Sequence, residues 1–137
     1  MAVGPGTLPE FYPVAGVKIG IASAGIKAPG RKDVVVFELA SDARVAGIFT
    51  QNQFCAAPVV LSRRHLAETA PRYLLINTGN ANAGTGSAGL ANAERCCAAL
   101  AEIAGVDTAC VLPFSTGVIG EPLPVDKIVG RKQPAVL

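Results

Sequence analysis

Two glycine-bearing stretches of the chain hold residues able to do chemistry. The first is Phe114-Ser-Thr-Gly-Val-Ile-Gly-Glu121. It follows the apolar pair Val111-Leu112, which reads as the start of a strand, and the end of a strand is where α/β proteins tend to place reactive groups. Thr116 offers a hydroxyl, and Gly117 offers a backbone N–H with no side chain to block approach. Two donors aimed at one point are the parts of an oxyanion hole, which stabilises negative charge as it develops on a carbonyl oxygen. A Ser-Thr-Gly run can equally be a plain turn, and spacing alone leaves both readings open.

The second stretch is Asn77-Thr-Gly-Asn-Ala-Asn-Ala-Gly-Thr-Gly86, between a strand and a helix. In that context backbone N–H groups and a helix N-terminus can hold an anion. The nucleotide fingerprints do not fit. No Gly-Lys-Ser/Thr closes the loop. The run Gly84-Thr-Gly-Ser-Ala-Gly89 has the G-x-G-x-x-G form but comes late and lacks a clear acidic partner. Asn77, Asn80 and Asn82 can bond their own backbone and stabilise an irregular turn. The loop therefore reads first as a structural connection, with binding of a small ligand or a partner chain as the alternative.

Other chemical groups carry less. Cys55, Cys96, Cys97 and Cys110 contain no C-x-x-C, and His65 is the one imidazole, so no zinc pattern and no metal site are expected. The cysteines read as small buried thiols of a cytoplasmic protein rather than as a disulfide framework. His65, beside Arg63 and Arg64, reads as a surface helical residue, and nothing ties it to a cysteine as a base. Arg31-Lys-Asp33 reads as a solvated turn.

The elements that must position these groups follow from pattern. Residues 1–16, rich in Gly and Pro, read as an irregular lead-in. Val17–Ile21 alternates as a strand does, and Asp33–Leu39 is β-branched and aromatic. Val45–Thr50 reads as a strand forming a hairpin with it. Ser62 is placed to cap a helical turn. Tyr73–Ile76 reads as a short strand, and Val111-Leu112 as another that Pro113 limits. The clearest helix is Ser87–Ala104, with Leu90, Cys97, Ala101 and Ala104 on one face, Ser87 as its cap and Gly105 as its left-handed end. Mixed strands and helices without strict alternation give a mixed α/β class.

The chain has 137 residues, the length of one domain, so 1–137 reads as a single domain. Half its residues are hydrophobic and 16% are charged, which excludes a disordered segment. A net charge of +2 leaves no electrostatic footprint for nucleic acid. No apolar run approaches the ~18 residues of a membrane helix, and no signal peptide is visible.

Taken together, the blocks Gly25-Ile-Lys27 with Arg31-Lys-Asp33, Ala46-Gly-Ile-Phe-Thr50, Ala56-Ala-Pro-Val59, Asn77-Thr-Gly-Asn-Ala-Asn-Ala83 and Ser115-Thr-Gly-Val-Ile-Gly-Glu121, followed by Leu123-Pro124, resemble the N-terminal part of the ornithine acetyltransferase family. This is the bifunctional glutamate N-acetyltransferase family of arginine biosynthesis. The blocks come in the family's order and cover most of residues 15–128.

The resemblance implies transfer of an acetyl group from N-acetylornithine to glutamate, with acetyl-CoA a possible substrate of the parent enzyme and no cofactor. It implies autocatalytic cleavage into α and β chains, an α2β2 assembly in the cytoplasm, and no nucleic-acid or membrane partner. The nucleophile is a Thr at the N-terminus of the β chain, activated by a base such as its own amine, which titrates near neutrality. The oxyanion hole maps onto Thr116 and Gly117. The fold implied is a helix–sheet–sheet–helix sandwich, here an incomplete portion. Residues 129–137 no longer match and read as an atypical or truncated tail. None of Thr7, Thr50, Thr69, Thr78, Thr85 and Thr108 sits at a matching cleavage position, so this chain is expected to hold no nucleophile, to be inactive alone, and to leave apolar surface for a partner to cover.

Overall fold

The β-branched run after Asp33 becomes the centre of the sheet. The structure, a computed structural model, describes residues 6–7, 9–130 and, for the backbone alone, 135–136. Its strands are β1 (Val17–Ala22), β2 (Val34–Leu39), β3 (Tyr73–Asn80), β4 (Val111–Val118) and the two-residue β5 (Ala135–Val136), and its helices are α1 (Ala57–Glu68), α2 (Gly86–Ala104) and α3 (Val125–Val129). The sheet order is β4-β3-β2-β1-β5. β2 pairs antiparallel with β1 on one side and β3 on the other, while β3 and β4 run parallel. The β3-α2-β4 unit is the crossover that a parallel pair requires.

The mixed α/β class is therefore what the chain adopts, but several local expectations change. Val45–Thr50 forms no strand: both edges of β2 are already paired, so an alternating segment there has nothing to bond. It lies against α1 instead, where Arg63 Nη2 donates to Thr50 O at 2.8 Å and its guanidinium sits 5.4 Å from the Phe49 ring centre. Pro113 does not end β4, because β4 is an edge strand with room for a residue lacking an N–H. Ser62 is no cap. It is buried in the body of α1, whose Pro58 suits a first turn, and its Oγ donates to Pro113 O at 2.8 Å.

The core lies between one sheet face and the helices. Val34, Val36, Leu75 and Val111 meet Leu61 of α1 and Ala93, Cys96, Cys97 and Ala101 of α2. Small residues on α2 allow this close approach. Its buried face runs through Gly89, Ala93, Cys96, Cys97 and Ala101, so the expected Cys97 and Ala101 are inside while Leu90 and Ala104 are half-buried. α2 starts from Thr85 with no side-chain cap, and Gly105 closes it at φ 66°, as its position predicts.

His65 is the opposite of a surface residue. Only 3% exposed, it bonds through Nδ1 to Val111 O at 2.8 Å. A carbonyl can only accept, so Nδ1 carries the proton. With Ser62 it pins α1 along β4.

Cys96 and Cys97 are buried, as expected, whereas Cys55 and Cys110 are half-buried; all four are free. Burial pushes the Cys96 thiol up to about 11 from its ordinary 9.0. Burial, reinforced by Cys96 and Glu94, pushes Cys97 up to about 12. A thiol reagent at pH 8 should thus modify Cys55 and Cys110 well before Cys96 and Cys97, read by peptide mass. The folded chain also keeps protons that the unfolded chain releases above about pH 9, so stability falls as pH rises from there towards 12. A urea midpoint that rises between pH 8 and pH 10.5 contradicts this.

Candidate functional site

The two chemical stretches meet at the C-terminal ends of β3 and β4. Neither is a free loop. β3 runs on through Asn77-Thr-Gly-Asn80, and β4 through Ser115-Thr-Gly-Val118, so Asn77 faces Ser115, Thr78 faces Thr116 and Gly79 faces Gly117. The register then slips: Asn80 opposes both Thr116 and Val118. That bulge brackets Gly117, at the kind of position where bulges re-aim groups beside active sites.

Gly117 has φ 135°. A Cβ there would lie 2.4 Å from Gly79 C, 2.5 Å from Asn80 N and 2.8 Å from Gly79 Cα. The two backbones are in van der Waals contact, which only glycine permits. Thr116 and Gly117 are both exposed, so the expected pair of donors stands open to solvent at the sheet end.

Beneath it lies a buried amide network. Asn77, Asn80 and Asn82 are 5%, 2% and 0% exposed. Ser115 Oγ donates to Asn77 Oδ1 at 2.6 Å, and Asn77 Nδ2 donates to Asn80 O at 2.9 Å. Asn80 Nδ2 donates to Glu121 O and Pro122 O, both at 3.1 Å, while Asn80 Oδ1 accepts from Asn82 N at 2.8 Å. Asn82 Nδ2 reaches Gly89 O of α2 at 2.9 Å, and Thr85 Oγ1 donates to Asn82 Oδ1 at 2.9 Å. No buried side-chain polar atom among the described residues lacks a partner. The three amides thus bond the chain itself, and what they offer a ligand is small.

Asp33 also departs from the solvated turn its neighbours suggest. Arg31 and Lys32 are exposed, but Asp33 is 4% exposed, and its carboxylate accepts from Ala24 N at 2.5 Å and Ile26 N at 2.6 Å. It ties the 24–27 loop to the sheet, and Lys27 of that loop packs over Gly79 and pairs with Glu121 at 3.4 Å. Both charges of that pair are half-exposed, so it contributes little to stability. A cavity of about 370 Å³ lies between Gln53–Val60 and Gly84–Leu90, lined among others by Phe54, Cys55, Thr85 and Ser87.

Four of the sequence blocks are therefore joined: 25–27 with Asp33, 77–83, 115–121, and 56–59, where Ala57 N donates to Asn82 O at 3.2 Å. The block 46–50 stands apart on α1, with Ile48 fully exposed. The buried roles of Asp33, Ser62 and His65 had no signal in their own neighbourhoods. The Asn77–Ser115 bond could have been sought in the matching order of polar residues in the two runs.

The sequence profile of the ArgJ family matches residues 18–136, which carries the match into the 129–137 stretch expected to fall outside it. The chain belongs to the ArgJ family. Its similarity to curated members is high: 64% identity over 136 residues to the arginine biosynthesis bifunctional protein ArgJ of Pseudomonas fluorescens strain Pf0-1, and 62% over 136 residues to that of Pseudomonas syringae pv. tomato. Each match takes in 99% of this chain and 33% of the relative, so the chain spans about a third of the length of the curated ArgJ proteins it matches. Two solved structures share the fold. ArgJ from Bacillus halodurans superposes with TM-score 0.79 at 34% identity, covering 85% of this chain and 61% of that one. Ornithine acetyltransferase from Mycobacterium tuberculosis, solved with ornithine, gives TM-score 0.75 at 38% identity over 85% of this chain and 63% of that one. The mixed α/β architecture is thus that of ArgJ. No helix among the described residues is long and apolar enough to cross a membrane.

Proposed function

We propose that this chain forms the N-terminal portion of the α chain of an ornithine acetyltransferase, in which Thr116 and Gly117 stabilise the oxyanion of acetyl transfer. The observation that carries this reading is the exposed Thr116-Gly117 pair at the sheet end, with Gly117 seated against the Gly79–Asn80 peptide. In the reaction envisaged, a Thr hydroxyl on a β chain attacks the acetyl carbonyl of N-acetylornithine. The carbonyl oxygen takes the negative charge, the C–N bond breaks, and ornithine leaves with a proton. The amine of glutamate then attacks the acetyl ester through a second oxyanion, giving N-acetylglutamate and restoring the hydroxyl. One hole serves both halves because the charge appears on the same acetyl oxygen.

The ornithine held by the Mycobacterium tuberculosis relative supports the substrate class. The nucleophile, autocatalytic cleavage, an α2β2 assembly, the cytoplasm as location and acetyl-CoA as a second donor belong to the same reading. It needs no cofactor. The alternative, a ligand or partner held by the 77–86 loop, loses ground because the loop's amides are used within the fold.

Two outcomes test this. These 137 residues by themselves should turn over no N-acetylornithine with glutamate. A hybrid in which they replace the corresponding third of the Pseudomonas fluorescens protein should turn over both. Activity of the 137-residue polypeptide alone, or an inert but folded hybrid, refutes the proposal. The open sheet face, with Ile19 and Phe114 over 40% exposed, should also make the short polypeptide self-associate. A single sharp monomer in light scattering counts against that.

A further inference from the structure

We propose that Asn80 is a positioning residue of the oxyanion hole, acting through the Gly79–Asn80 peptide on which Gly117 rests. The inference rests on the acetyl-transfer reading above. Gly117 packs directly against β3, so closely that a Cβ in its place would lie 2.4 Å from Gly79 C and 2.5 Å from Asn80 N. The direction of its N–H therefore follows the plane of that peptide. Asn80, whose N–H closes that peptide, is itself fixed at its carbonyl and at both ends of its side-chain amide. Its own carbonyl receives Asn77 Nδ2, its Nδ2 reaches two successive carbonyls at Glu121 and Pro122, and its Oδ1 receives Asn82 N. Ser115, one residue before Thr116, completes the frame through Asn77.

These bonds link the segment before the donors to the segment after them across a two-against-one bulge. A buried side chain with all its polar groups engaged is rigid, and a rigid support is what a hole aimed at a transient charge needs. Asn80, buried beneath the pair, acts on the donors through the backbone and not on the reacting atoms.

The test uses the active hybrid. Asn80→Asp keeps the shape but places a carboxylate oxygen against the Glu121 and Pro122 carbonyls, which cannot donate to it. kcat should fall ~10- to 100-fold with KM for N-acetylornithine within about twofold, the size expected when donors are displaced by a fraction of an ångström. In a Thr116→Ala background the same change should cost no more than about threefold, since much of the hole is already lost. Equal losses in both backgrounds, or an unchanged kcat, overturn the proposal. If Asn80→Asp does not fold, Ser115→Ala decides: a fivefold or greater loss of kcat with a melting point within a few degrees supports it, and an unchanged kcat overturns it. A Thr116→Ala hybrid that exchanges acetyl at full speed would instead sink the acetyl-transfer reading itself.

Discussion

Thr116→Ala in the active hybrid is expected to lower kcat for acetyl exchange by ~100- to 1000-fold, the loss seen when one donor is removed from an oxyanion hole, or roughly 3–4 kcal/mol of barrier. KM should change little, because in the proposed role the hydroxyl bonds a charge that is full only in the transition state. Thr116→Ser keeps the hydroxyl and should restore most of the rate. Stability should hardly move, as the side chain is exposed. Those contrasts separate a donor from a structural threonine. Steady-state kinetics with N-acetylornithine and glutamate reads them directly, and an ordinary rate for the Ala variant removes Thr116 from the mechanism.

Gly117→Ala should be the most disruptive single change in the site. The new methyl group would fall 2.4 Å from Gly79 C and 2.5 Å from Asn80 N, both backbone atoms that cannot rotate away. The φ of 135° adds strain for any residue with a Cβ. Overpacking and strain together should cost ~3 kcal/mol or more, and the bulge should open, removing the hole as well. Gly120→Ala is the control. Gly120 also has positive φ, at 80°, but nothing lies within 4 Å of its would-be Cβ. It should cost only ~1 kcal/mol. Thermal unfolding of the two hybrids compares them, and equal melting points would show that the close approach of Gly117 to β3 is not what this position requires.

Much of the local structure was legible. β2, α2 and its Gly105 end follow from β-branching, helical period and a glycine just past the last periodic residue. The failures share one cause. The sequence around Pro113, Ser62 and Val45–Thr50 carries only what each does to its neighbours in the chain. Their outcomes depend on which strand is at the edge, which helix lies over it and which edges are already paired.

The chemistry divides the same way. Residue types alone determined that a hydroxyl, a bare N–H and a set of asparagines were available, and that Cys55, Cys96, Cys97 and Cys110 lacked the spacing of a metal site. Tertiary structure decided that two runs nearly forty positions apart lie in parallel register, that a slipped pair brackets Gly117, and that Asp33 and the asparagines turn inward. Local sequence sets the conformations a few residues prefer. Hydrogen-bond partners and burial belong to the sheet as a whole, because a donor's partner is chosen by the strand that comes to lie beside it.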